Sequence, residues 1–198
     1  LSVSTDIRNA SSSPKEVVVS GVIQPGNISF SKDIRVEGGT TARLSINKDD
    51  IAQLVVDHPR LWWPNGYGDP NLYTCKLTCS VDGKVSDVKE MTFGIKKCEY
   101  KMVDNVVGYP VLTFFINGQK IYLKGGNWGM SEYLLRCQGK EYETKIRLHK
   151  EMNYNMIRLW TGCVTDDEFY DYCDKYGIMV WNDFWLYVAY NDVAQPEA

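Results

Sequence analysis

The chain has 198 residues, with 22 Lys plus Arg against 25 Asp plus Glu, a formal charge of −3 and 44% hydrophobic residues. No basic block longer than Lys96-Lys97 is present, which argues against nucleic acid or an anionic membrane surface as a partner. No apolar run approaches the ~18 residues of a membrane span, and the first residues lack the basic-then-apolar order of a signal peptide.

A length near 200 predicts one large domain or two small ones. The start at Leu1 rather than Met gives the expectation of a piece cut from something longer. The aromatic residues favour two domains: of the 25, only Phe30 precedes residue 60, and 18 lie between Val106 and Ala198. The six cysteines are spread over a chain large enough to need no bridges. Cys75 and Cys79 fall with Tyr73 and Leu77 on one face of an alternating strand, as small buried hydrophobes would. With only two histidines, His58 and His149, and no Cys-x-x-Cys pair, the sequence assigns no metal and no cofactor.

From Leu1 to about Met102, short β-runs are separated by turn residues. The runs are 1–7, 16–23, 27–30, 33–36, 41–46, 71–79 and 88–100, punctuated by Gly38-Gly39, 47–50 and Asp82-Gly83. Seven strands without a helical period predict an immunoglobulin-like β-sandwich over residues 1–105. Beyond it, Asn117-Gly118 between 111–116 and 120–123 is a hairpin signal, and the strand after it is expected to run on through Leu123 into Gly125-Gly126-Asn127-Trp128. A helix over 141–152 and a strand over 155–160 follow. Thr165 and Glu168 then form a capping box for a second helix, whose buried stripe is Phe169, Tyr172, Cys173 and Tyr176 and whose stop is Gly177. The apolar run 178–181 suits a strand buried on both faces. Alternation of β and α predicts a parallel α/β fold over 106–198. A closed (β/α)8 barrel needs on the order of 250 residues, so only its first part fits.

In parallel α/β folds, functional groups gather where strands end at their carboxyl side. There the sequence places Asn127-Trp128, Arg158-Leu159-Trp160 and 181–185, which includes Asp183 and Trp185. Flat apolar rings can cover the C–H face of a pyranose, while Asn, Arg and Asp bond its hydroxyls. The plainer readings are core packing for each Trp, a structural Arg158–Asp183 ion pair, and solvated loop charges for Glu132 and Arg136.

Several segments together resemble family 2 glycoside hydrolases. They are Leu61-Trp-Trp-Pro-Asn-Gly-Tyr-Gly-Asp-Pro-Asn-Leu-Tyr73, Phe93-Gly-Ile95, the stretch Phe115 to Trp128, Asn153-Tyr-Asn-Met-Ile-Arg-Leu-Trp160, the stretch Asp167 to Gly177, and Val180-Trp-Asn-Asp-Phe184. Arg-x-Trp at 158–160 and Gly-Gly-Asn-Trp at 125–128 are most similar to the β-mannosidase and endo-β-mannosidase branch. Exo-β-glucosaminidases share part of this pattern, and Thr161-Gly162-Cys163 departs from the Gly-Gly-Gly common in mannosidases.

The resemblance implies retaining hydrolysis by two glutamates about 5 Å apart through a covalent glycosyl-enzyme intermediate. Both glutamates are expected beyond Ala198, so this chain by itself is expected to be inactive. Arg158 would support the nucleophile, while Asn127, Trp128, Trp160, Asp183 and Trp185 would bind sugar. The expected partners are a β-linked oligosaccharide or glycan and either the remainder of the same polypeptide or a complementary chain. The competing reading is a non-catalytic carbohydrate-binding module built on the sandwich.

Overall fold

A computed structural model describes residues 1–104, 107–128, 138–160 and 166–183. They form two compact units: residues 1–60 with 72–93, and residues 61–71 with the chain from 94 onward.

The first unit contains β1 (Val3–Arg8), β2 (Lys15–Gln24), β3 (Ile28–Val36), β4 (Thr41–Ile46), β5 (Tyr73–Val81) and β6 (Lys84–Phe93). One sheet is the antiparallel pair β1-β4, and the other has the order β3-β2-β5-β6. Alternation along each strand sends Ile7, Val17, Val19, Ile23, Leu44, Ile46, Cys75 and Leu77 into the core. Gly21 faces Phe30 across the β2-β3 ladder, and a Cβ there would meet the phenyl ring at 2.2 Å, so only glycine fits beneath it. Asp82-Gly83 closes the β5-β6 hairpin with both residues at positive φ.

The two expected runs 27–30 and 33–36 are a single strand, β3. Lys32 breaks the apolar pattern without breaking the ladder, because its ammonium bonds Asp50 at 2.6 Å and the Ser45 carbonyl at 3.2 Å. Conversely, the single expected strand 88–100 is two. β6 ends at Phe93, and β7 (Cys98–Asp104) pairs instead with β8 (Pro110–Ile116), which pairs with β9 (Gln119–Ile121). The break falls at Gly94, which passes against Trp62 so closely that a Cβ would lie 2.8 Å from the Trp62 Cβ.

In the second unit, residues 61–71 act as a strap. Trp62 is fully buried and donates its indole N–H to the Asp174 carbonyl at 2.8 Å. Asn65 donates its backbone N–H to the Gly177 carbonyl at 2.8 Å, and its side-chain amide to the carbonyls of Lys150 at 3.0 Å and Tyr154 at 2.9 Å. It thereby satisfies carbonyls at the carboxyl ends of both helices, groups that a helix cannot pair internally. Asn117-Gly118 forms the expected two-residue hairpin turn, with φ of 52° and 82°.

The chain continues as β10 (Gly125–Trp128), α1 (Lys140–Glu151), β11 (Met156–Leu159), α2 (Asp167–Tyr176) and β12 (Met179–Asn182). The three strands form a parallel sheet in the order β10-β11-β12. The helices cover one face of it through Tyr142, Ile146, Phe169 and Cys173, packed with Trp128, Ile157, Leu159 and Ile178. α2 begins after Asp166, whose carboxylate accepts the Tyr142 hydroxyl at 2.6 Å, and Gly177 ends it in the left-handed conformation. The Thr165 half of the expected capping box lies outside the described residues. β12 is not buried on both faces as expected: it lies at one edge of the three described strands, and Trp181 and Asn182 are exposed.

The expected run from 120 into 128 is also interrupted, because β9 ends at Ile121 and β10 starts in another sheet. Asn155, fully buried, takes over the backbone between them. Its Oδ1 accepts the Lys124 N–H at 2.8 Å and its amide donates to the Tyr122 carbonyl at 3.0 Å. Asn155→Leu is expected to cost about 2–4 kcal/mol, since two backbone groups lose their partners in a dry site. The check is a lower denaturant midpoint at unchanged slope.

Candidate functional site

The parallel sheet has two faces, and its register sorts the candidate residues between them. Trp128, Ile157 and Leu159 point into the helix-covered core. Alternation therefore puts Asn127, Arg158 and Trp181 on the opposite face, where the ladder aligns them as one row across β10, β11 and β12. Asn127 and Trp181 are exposed. Trp181 rests edge-on against Phe114, with ring centroids 5.9 Å apart.

Asp183 follows β12 directly and is tied to β11 twice. Its backbone N–H donates to the Leu159 carbonyl at 3.3 Å. Its carboxylate accepts Arg158 Nε at 3.1 Å and Nη2 at 2.8 Å, the two-pronged geometry that a planar guanidinium favours. The Arg158 side chain is 43% exposed and that of Asp183 18%, so the pair sits at a partly open surface rather than in the core. Trp160, two residues beyond Arg158 and just past the end of β11, is half exposed.

Trp128, expected among the sugar-binding residues, is placed on the other side of the sheet. Only 7% of it is exposed, and its ring lies 5.3 Å from Phe169 and 5.6 Å from His149. It packs the helix side of the sheet, one residue out of phase with Asn127, and offers no platform on the face that carries Arg158. Trp185, Glu132 and Arg136 lie outside the described residues. Trp181 lies in the strand-end segment 181–185 that the sequence singles out, but it is not among the expected sugar-binding residues. Its signal was the parallel register, which could have been inferred by placing Arg158 and the third strand's polar end on a common face.

Among the described cysteines of the second unit, Cys173 supplies no nucleophile to this face. Burial pushes the Cys173 thiol far above its ordinary range, and the residue belongs to the helix-side core. Burial likewise raises the Asp174 carboxyl, with Lys96 opposing and Asp171 adding to the shift. The described residues contain no group of three or more His, Cys, Asp or Glu able to hold a metal, and none of their helices is long and apolar enough to cross a membrane.

The chain is thus β-rich, with a two-sheet first unit and a second unit that gathers an amide, a guanidinium–carboxylate pair and indoles at the ends of parallel strands. Comparison with known proteins gives the family. Residues 1–96 match the model of glycosyl hydrolases family 2. The chain is 40% identical over 158 residues to a mannosylglycoprotein endo-beta-mannosidase of Lilium longiflorum, covering 76% of this chain and 16% of that protein. It is 33% identical over 179 residues to an exo-beta-D-glucosaminidase of Streptomyces avermitilis, covering 90% and 19%. The structure of a beta-D-mannosidase from Dictyoglomus thermophilum superposes with a TM-score of 0.74 at 32% identity, covering 93% of this chain and 22% of that one. The chain belongs to glycosyl hydrolase family 2, and it spans less than a quarter of the length of these relatives.

If Trp160 binds sugar as the sequence leads one to expect, Trp160→Ala in the full-length protein raises KM for a glycoside about tenfold with a smaller change in kcat, because an exposed indole contributes binding surface rather than charge. Steady-state kinetics on an aryl glycoside check the split.

Proposed function

We propose that the protein containing this chain is a retaining β-glycoside hydrolase acting on β-mannosidic bonds. In this reading the immunoglobulin-like sandwich, expected over residues 1–105, is built on the unit of residues 1–60 and 72–93, and the β10-α1-β11-α2-β12 segment begins the (β/α)8 catalytic barrel. The observation that carries the reading is the Arg158–Asp183 pair, set in a row with Asn127 and Trp181 at the carboxyl ends of three parallel strands. The described residues supply three parallel strands and two helices of such a barrel. In this reading the acid/base and nucleophile glutamates belong to the rest of the barrel.

Chemically, a guanidinium beside a carboxylate nucleophile keeps it ionised and ready to attack the anomeric carbon. Arg158 is suited to that task because its charge is permanent and its orientation is held by Asp183. Asn127 and Trp160 would bond and cover the sugar. The identity of 40% to an endo-beta-mannosidase favours mannose configuration. Likeness to exo-beta-D-glucosaminidases supports the second reading, a hydrolase of β-glucosaminides.

The deciding experiment measures nitrophenol release by the full-length protein from aryl β-mannoside and aryl β-glucosaminide. Faster turnover of the mannoside supports the first reading, and faster turnover of the glucosaminide replaces it with the second. Absence of turnover on both, with retained glycan binding by residues 1–105, would favour a non-catalytic binding module.

A further inference from the structure

We infer that Asp183 is a positioning residue that acts through Arg158, rather than a ligand of the sugar; the inference rests on the hydrolase reading above. The geometry that points to this is the way the carboxylate divides the guanidinium. Asp183 occupies the Nε and Nη2 edge, at 3.1 and 2.8 Å. Nη1, with its two N–H donors, has no partner among the described residues.

A guanidinium on a three-carbon stem turns freely about its last bonds unless two of its donors are fixed at once. A two-point contact fixes both its plane and its rotation. Asp183 is well placed to impose that contact because its own backbone is hydrogen-bonded to Leu159, the residue after Arg158. The brace therefore spans β11 and β12 at adjacent positions, and rotation of the carboxylate is limited by the strand end that bears it. Its side chain is also much less exposed than that of Arg158, at 18% against 43%. The acidic partner is thus the sheltered one, and the unengaged edge of the guanidinium is the part available to a reacting group or a sugar hydroxyl. Positioning of this kind matters most in the transition state, when charge develops and fixed donors need no reorganisation.

A double-mutant cycle in the full-length enzyme tests the inference. Asp183→Asn keeps the size but replaces one acceptor oxygen by an amide that repels the guanidinium N–H. It is expected to lower kcat/KM for an aryl β-glycoside by about 10–100-fold, mainly in kcat, and Asp183→Glu is expected to recover part of the loss. Introduced into Arg158→Lys, whose ammonium cannot take the two-point contact, Asp183→Asn is expected to add no more than about twofold. Losses that multiply in the double variant would show that Asp183 acts independently of Arg158 and would overturn the inference. So would a change confined to KM. Thermal unfolding midpoints accompany the kinetics, and if Asp183→Asn is unstable, Asp183→Glu in both backgrounds carries the same comparison. A wild-type enzyme inactive on every aryl β-glycoside overturns the hydrolase reading and this inference together, whereas an active wild type with independent losses overturns the inference alone.

Discussion

Arg158→Ala in the full-length protein is expected to reduce kcat/KM for its glycoside by on the order of 10²–10³-fold, with the protein still folded. The side chain is partly exposed and its ion pair lies at the open ends of the strands, so its removal leaves the helix-side core of Ile157, Leu159 and Phe169 untouched. What is lost is a permanent charge held in a fixed plane. Arg158→Lys restores the charge without the planar fork and is expected to recover only part of the rate. The kinetic split separates this from a binding defect: a loss carried by kcat means that the interaction is made in the transition state, whereas a loss carried by KM means uniform binding. Unchanged kcat in Arg158→Ala would remove Arg158 from the reaction.

The second large effect falls on stability. Trp128→Ala is expected to cost about 3–5 kcal/mol, the range for deleting a large aromatic from a packed core. The indole stacks edge-on with Phe169, itself edge-on to Tyr142 at 5.6 Å, so its loss opens a cavity where sheet, α1 and α2 meet. Trp128→Phe retains the ring contact and is expected to cost roughly half as much or less. Chemical denaturation followed by near-ultraviolet circular dichroism measures both, and in the folded enzyme neither variant should alter KM directly. A Trp128→Ala variant with wild-type stability and a raised KM would return Trp128 to the sugar site.

The contrast between Trp128 and Asn127 shows how much of the site can be read from residues alone. Adjacent positions in a strand face opposite ways, and a dipeptide such as Asn127-Trp128 does not reveal which member faces the ligand. The sequence contains the answer only through the neighbouring strand. Ile157 and Leu159 flank Arg158 and assign the apolar phase to odd positions of β11, and the parallel register then carries Asn127 and Trp181 to the side of Arg158. Strong local signals were legible, among them the Asn117-Gly118 turn, the Gly177 stop and the stripe through Phe169 and Cys173. Breaks made by distant partners were not. Gly94 ends β6 because Trp62 crosses it, and the backbone at 122–124 leaves its strand because Asn155 takes its hydrogen bonds. In each case the decisive neighbour is about 30 residues away, beyond any local pattern.

That same long-range wiring explains why residues 61–71 are so distinctive in sequence. Trp62 and Asn65 are specified by the carbonyls of Asp174, Lys150, Tyr154 and Gly177, groups that appear only once both helices have formed. The strap secures the ends of the helices that back the sheet, while the opposite face of that sheet bears Arg158. Sequence constraint and site geometry are thus joined through one small α/β unit.

The most direct test of this account is the structure of the full-length protein trapped with a 2-deoxy-2-fluoro mannoside, which stops a retaining hydrolase at its covalent intermediate. The account predicts a sugar bound covalently to a glutamate, with the Arg158 Nη1 edge, Asn127 and Trp160 in contact with the sugar or with the carboxylate that carries it. A sugar bound elsewhere, with the Arg158–Asp183 pair facing only solvent, would contradict it.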